Sequence, residues 1–247
     1  MIRLVRAEFT KLRTTRLIYG MAAGMAAFAV LTVAANILDR QGAPPLSADS
    51  FPMLVGGPVT LLSGAALLLG ILGMSGEFRH QTVTQTFLVT PDRGRVVAAK
   101  LVAYPLAGIA LALSVLAFTA ALATGWLAAE EITPSLLDAR LGRVLLGAVL
   151  AAGLCGLVGV GVAALVRNQV AALVGVAVWV LLVEGLLMSL LNIPSSLAKW
   201  LPSAAAAALT NPGGGQLSRL AGTLLLAAYG LALALAGTRL VVRRDIT

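Results

Sequence analysis

"LVAYPLAGIALALSVLAFTAALATGWLA", Leu101 to Ala128, runs for 28 residues without a charged side chain. A helix rises about 1.5 Å per residue, so about 20 residues cross a hydrocarbon core of roughly 30 Å. This stretch is long enough to span a bilayer. Five further runs have the same character: Leu17 to Leu38, Met53 to Gly76, Val144 to Val166, Val170 to Asn192 and Leu220 to Thr238. Of the six, only the fifth carries a charge, Glu184. Across the 247 residues, 59% are hydrophobic and 11% charged, with a mean hydropathy of +0.96, a balance that excludes an ordinary soluble domain. An isolated span must satisfy its backbone hydrogen bonds internally, and these runs are too long and too uniform for barrel strands. The expected fold class is therefore all-α: a polytopic membrane protein with six transmembrane helices.

Orientation follows from the positive-inside rule. With six spans both termini share one side, and that side holds 13 of the 18 basic residues, among them Arg3, Arg6, Lys11, Arg13, Arg79, Arg93, Arg95, Lys100 and Arg167. The other side has Arg40, Arg140, Arg143, Lys199 and Arg219, balanced by Asp39, Asp49, Glu130, Glu131 and Asp138. Both termini are therefore expected to face the cytoplasm. A sequence pI near 10.8 is then explained by topology and anionic lipid, with no nucleic acid required. The single cysteine, Cys155, lies inside the fourth run, so no disulfide can form within the chain.

Residues 1–16 precede the first run. Ile2, Val5, Phe9 and Leu12 recur at helical spacing there, with Arg3, Arg6, Lys11 and Arg13 on the flank and far side, the pattern of an interfacial helix on the cytoplasmic leaflet. The following 22-residue run is longer than the core of a signal peptide, so it is read as a retained span.

The loop 77–100, between the second and third spans, has internal structure. Val83 and Phe87, with Leu88 alongside, give a short helix from Gln81 to Val89 an apolar face, and Pro91 prevents its smooth continuation. Thr90 and Pro91 read as N-cap and first residue of the next helix. A short helix thus lies across the membrane face between two spans.

The stretch "EFRHQTVTQTFLVTPDRGRVVAAKL", Glu77 to Leu101, resembles the corresponding loop of type 2 ABC-transporter permeases, the bacterial drug, antibiotic and lipid exporter class. The likeness lies in a glutamate ending the second span, an Arg-His-x-Thr step, and a Thr-Pro followed by basic residues. The N-terminal Ala-Glu-Phe-x-Lys-Leu-Arg and the six-span plan agree with it. The resemblance implies that this loop is the cytoplasmic coupling helix, with Glu77, Phe78, Arg79, His80 and Thr82 as motif residues and Val83, Phe87 and Leu88 within the ATPase-docking surface. Gln81 stands where many relatives have glycine. The partners implied are an ABC ATPase subunit and a second copy of the permease or a sibling. No Gly-x-x-x-x-Gly-Lys-Ser/Thr phosphate loop occurs in the chain, so no cofactor is expected on it; ATP and Mg belong to the ATPase partner. Two alternatives stay open: the loop only obeys the positive-inside rule, or the chain is a membrane scaffold or assembly protein without ATP-linked transport.

An enzymatic reading fares poorly, and no catalytic residue is assigned. "GMSG", Gly73 to Gly76, looks superficially like the serine motif of rhomboid proteases, with His80 following. Five residues rotate a helix by about 500 degrees, which separates the Ser75 and His80 side chains, and no second histidine is available. One histidine and one cysteine, far apart, make no metal site.

Glu184, about 12 Å from the outer end of its span, reads either as a group in the translocation pathway or as a carboxyl bonded to a neighbouring helix. Gly153, Gly156 and Gly159 in the fourth span, Gly20 and Gly24 in the first, and Gly230 and Gly237 in the sixth are expected to bring helices close. Residues 193–219 are too apolar for a plain outer loop. In the relatives this region forms external re-entrant helices, and the same is expected here.

Overall fold

The computed structural model describes residues 1–38, 46–79, 92–135, 138–189, 194–210 and 217–243, and among these the regular structure is helical, with no strand. Helix α1 (Ile2–Thr14) leads into α2 (Arg16–Leu38). A single 3-10 turn (Ala48–Ser50) and the short α3 (Phe51–Gly56) precede α4 (Val59–Arg79). Then come α5 (Arg93–Ala129), α6 (Ala139–Val166), α7 (Gln169–Ala177), a π-helical turn (Val178–Val183) and α8 (Glu184–Ser189). Two short helices, α9 (Ser195–Ala198) and α10 (Pro202–Thr210), lead to α11 (Arg219–Arg243). Six of these stretches are long and apolar enough to cross a membrane.

Local chemistry sets the breaks. The apolar run from Met53 to Gly76 is expected as one helix, but it is interrupted at Gly57 and Pro58, where proline has no N–H to continue the helical ladder. The expected start at Thr90 and Pro91 lies outside the described residues, which show the third span as a helix from Arg93. Its N-cap is Asp92, whose Oδ1 accepts from the Arg95 N–H at 3.1 Å, because a carboxylate satisfies the orphan donors of the first turn. Asp138 and Asn168 do the same for α6 and α7. Arg167, at φ 55°, makes the sharp turn between those two helices, and its guanidinium donates to the Leu240 carbonyl of α11.

At the centre stands α6, with Ala148, Ala151, Ala152, Gly156, Gly159, Ala163 and Ala164 all buried. It packs on α4, α5 and α11. The contact is backbone to backbone: a Cβ on Gly70 of α4 would meet the Gly156 carbonyl, and one on Gly159 would meet the Leu67 carbonyl. Such approach supplies the dispersion and weak polar contacts that must replace hydrophobic drive in lipid. Gly237 meets Ala164, and Gly230 meets the Leu157 side chain. Gly20 and Gly24 differ from the rest, since nothing lies within 4 Å of where their side chains would be. Accordingly α2 and the α7–π–α8 segment are peripheral and expose Tyr19, Leu31, Val174 and Leu181.

The apolar stripe of α1 also divides. Leu12 is buried in the bundle, Val5 and Phe9 are half-buried, and Ile2 is exposed, whereas the charged Glu8 is buried with Leu12.

Candidate functional site: a four-charge cluster at the base of loop 80–91

Three helices converge where the chain leaves α4 and re-enters at α5. From α1 come Glu8 and Lys11, three residues apart; from the last turn of α4 comes Glu77; from the second turn of α5 come Lys100 and, one turn further, Tyr104. Lys100 Nζ lies 2.7 Å from Glu8 Oε2 and 3.0 Å from Glu77 Oε1, and it donates a third bond to the Gly73 carbonyl at 3.2 Å. Lys11 Nζ closes the circuit at 2.8 Å from Glu8 Oε1 and 2.6 Å from Glu77 Oε1. The Tyr104 hydroxyl donates to Glu8 Oε2 at 3.4 Å, and its ring centroid lies 5.6 Å from the Lys100 ammonium. Two cations and two anions therefore alternate around a ring.

Burial makes this arrangement demanding. Lys100 is 1% exposed and Glu8 4%, and an uncompensated charge in such a place costs several kcal/mol, on the order of 3–5 when a partner is removed. Each buried charge here has a partner of opposite sign and further hydrogen bonds. Burial alone would raise the Glu8 pKa, but the Lys100 charge and the hydrogen bonds from Lys100 and Lys11 outweigh it and hold the carboxyl below its usual range. For Lys11, partial burial works against the charge, yet the bonds to Glu77 and Glu8 prevail and raise its pKa. Gly73 makes the geometry accessible, because any side chain there would run into the Tyr104 ring.

The predicted loop residues divide in two. The Glu77 carboxylate faces inward, held in the ring with a side chain 12% exposed. Arg79 is exposed at the end of α4 and reaches Gln169 of α7 only at a long 3.5 Å. Phe78 belongs to α4, but its side chain lies outside the described residues, as do His80, Thr82, Val83, Phe87, Leu88 and the proposed helix from Gln81 to Val89. Ser75 is buried, and its hydroxyl donates to the Ile71 carbonyl at 2.6 Å within its own helix. Among the described residues no group of acidic, histidine and cysteine side chains could hold a metal ion.

Glu184 lies apart from that ring and is 3% exposed. Directly after the π-helical turn, its Oε1 accepts from the Trp179 indole N–H at 2.7 Å. Its Oε2 accepts from the Ser203 hydroxyl and from the Ser203 backbone N–H at 3.3 Å. Ser203 lies in the first turn of α10, so the carboxylate sits where unpaired N–H groups and the helix dipole favour an anion. Glu184 thus ties the fifth span to α10.

In the sequence, Glu8 and Lys11 stand out only as part of the Ala-Glu-Phe-x-Lys-Leu-Arg opening and, with Lys100, as topological charges, not as partners of one another. A signal was nevertheless present: Glu8 is four residues from Leu12 and so shares the apolar face of α1, where a lone carboxylate needs a cation.

The family model described as "ABC-2 family transporter protein" matches residues 4–184, from α1 to Glu184, and so includes every member of the ring. No curated protein matches the chain.

Proposed function

The chain belongs to the ABC-2 transporter family, and from that premise we propose that it is the permease subunit of an ATP-driven exporter, working as a dimer with itself or a sibling. Family membership makes it a multi-pass membrane permease component of an ABC transporter, a transport subunit rather than an enzyme. In the proposed complex, separate ATPase chains carry ATP and Mg and dock on loop 80–91, with Val83, Phe87 and Leu88 filling a groove on the partner and polar neighbours fixing orientation. The basic bias of the loops favours cytoplasmic termini in a bacterial inner membrane.

The observation that carries this reading is the charge ring. Both stems of the loop are ion-paired to α1, Lys100 of α5 with the buried Glu8 and Glu77 of α4 with the partly exposed Lys11, and they are paired to each other. A push on the segment between them is therefore delivered to three helices at once rather than absorbed by a slack connection. The peripheral position of α2 and of the fifth span supports a pathway between two permeases, because these are the helices with most apolar surface left uncovered. Tilting of the first, second and fifth spans would open it.

Co-purification with the ATPase subunit tests the reading, comparing the native chain with Glu77→Ala and Phe87→Asp. Capture of the ATPase by the native chain, with loss of binding or of coupled ATP hydrolysis in the variants, is expected. A chain that retains no ATPase, or variants that bind and couple like the native protein, would favour a scaffold.

A further inference from the structure

Between α1 and the start of the third span lies an open groove of about 640 Å³ that the coupling argument does not use. Its floor is apolar, made by Ile2, Val5 and Phe9 of α1 and by Val102 of α5; Arg6 and Arg13 stand on its rim. We propose that this groove is a binding site for one anionic phospholipid, whose phosphate is taken by Arg6 and Arg13 and whose acyl chain lies on Val102 and the apolar face beyond it. The inference rests on the placement of α1 at the cytoplasmic leaflet and not on the coupling to an ATPase.

Charge complementarity is the first reason. Lys11 and Lys100 are neutralised in the ring by Glu8 and Glu77, but Arg6 and Arg13 form no ion pair among the described residues. They are seven residues apart, two turns or about 10 Å along one side of α1, and both are exposed. Arginine is suited to phosphate because its planar donors match the oxygen geometry.

The second reason is what the floor leads to. Val102 is 45% exposed and is followed on the same face of α5 by Leu106 at 45% and Leu113 at 54%. Positions 102, 106 and 113 follow the four- and seven-residue repeat of one helix face. An apolar track thus descends from the arginines along a membrane-spanning helix. A water-soluble acidic partner would match the arginines but would have no use for a track that enters the hydrocarbon, whereas a glycerophospholipid fits both ends.

The test is native mass spectrometry of the purified permease in neutral detergent, titrated with palmitoyl-oleoyl phosphatidylglycerol or with the phosphatidylcholine of the same chains. One phosphatidylglycerol per chain should be retained, in preference to phosphatidylcholine. With about a fivefold contribution from each basic residue near a phosphate surface, Arg6→Gln with Arg13→Gln should reduce that preference by about 25-fold. Val102→Trp fills the groove while leaving every charge in place, and it should abolish the saturable adduct. Arg3→Gln, equally basic but not lining the groove, should change nothing. Equal retention of both lipids, an Arg3→Gln effect as large as that of Arg6→Gln, or full adduct in Val102→Trp would overturn the proposal in favour of diffuse attraction to a basic face. Competition by inorganic phosphate at matched concentration would also overturn it, showing a simple anion site. Thermal unfolding of each variant identifies any that fail to fold, and Val102→Phe then replaces Val102→Trp.

Discussion

Lys100 Nζ lies 2.7 Å from Glu8 Oε2, although 92 residues separate them in the chain. The pair fixes the N-terminal helix against the third span, and with Lys11 and Glu77 it forms a nearly neutral knot under a strongly basic surface. Removing the buried cation should therefore be the most damaging single change at this site. Lys100→Met keeps the length of the side chain but leaves Glu8 without its closest buried partner, at a cost of about 3–5 kcal/mol. Lys11 is 45% exposed, so Lys11→Ala should cost only about 0–1 kcal/mol. Thermal unfolding in detergent gives both values, and equal transitions for the two variants would contradict a dominant role for Lys100.

The contributions of Glu8 and Lys11 should not change with pH across the neutral range. Glu8 has a pKa lowered from 4.5, so its stabilising contribution is present above that value and disappears as pH falls through the depressed folded value. Lys11 has a pKa raised from 10.5, so its contribution is present below that value and is lost as pH rises through the elevated one. Between about 5.5 and 9.5, both lying inside those limits, the transition temperature should not drift on account of this site. A midpoint near neutrality that is removed by Glu8→Gln would show that the ring titrates.

Glycines fall into two functional groups with opposite expected responses. Gly159→Val sets a branched side chain against the Leu67 carbonyl of α4 and should destabilise by about 1–3 kcal/mol or more. A Cβ at the exposed Gly24 meets nothing within 4 Å in its own chain, and Gly24→Leu should leave the unfolding of one chain unchanged. If α2 lines the permease–permease interface, the same variant lowers the dimer fraction in crosslinking. Unchanged dimerisation would remove the first span from the interface.

Glu184→Ala deprives the Trp179 indole N–H and both donors of Ser203 of their acceptor, which should cost about 1–3 kcal/mol. Its signature is local: α10 loses its tie to the fifth span. A cysteine at Ala208, now 1% exposed, should react severalfold faster with a maleimide in the Glu184→Ala background, while buried Cys155 stays slow. An unchanged rate at Ala208→Cys would mean that α10 is held by its packing on α11 and α6 alone.

The membrane fold was legible because a run such as Leu101 to Ala128 has only one low-energy environment, and composition is enough to identify it. Contacts between distant segments were less so. Glu184 is costly where it lies on the sequence alone, but the helix N-terminus that receives it comes 19 residues later, a long-range contact that no periodicity encodes. Lys100 directly precedes an apolar run, the usual position of a topological anchor, and only its register one turn from Tyr104 distinguishes it from an outward-pointing charge. The break at Gly57 and Pro58 could have been inferred from proline alone, whereas the π-helical turn has no comparable residue signature.

The small-residue surface of α6 has a mechanical meaning beyond close contact. Helices that interlock through large side chains engage like gears, and relative motion requires each ridge to leave its groove. At Gly156 and Gly159 the opposed surfaces are main chain, with few teeth to disengage. Towards α4 the fourth span therefore resembles an axle in a plain bearing, held tightly across its radius with few ridges along its length, whereas on the α11 side the Leu157 side chain seated against Gly230 acts as a key that holds the two helices in register.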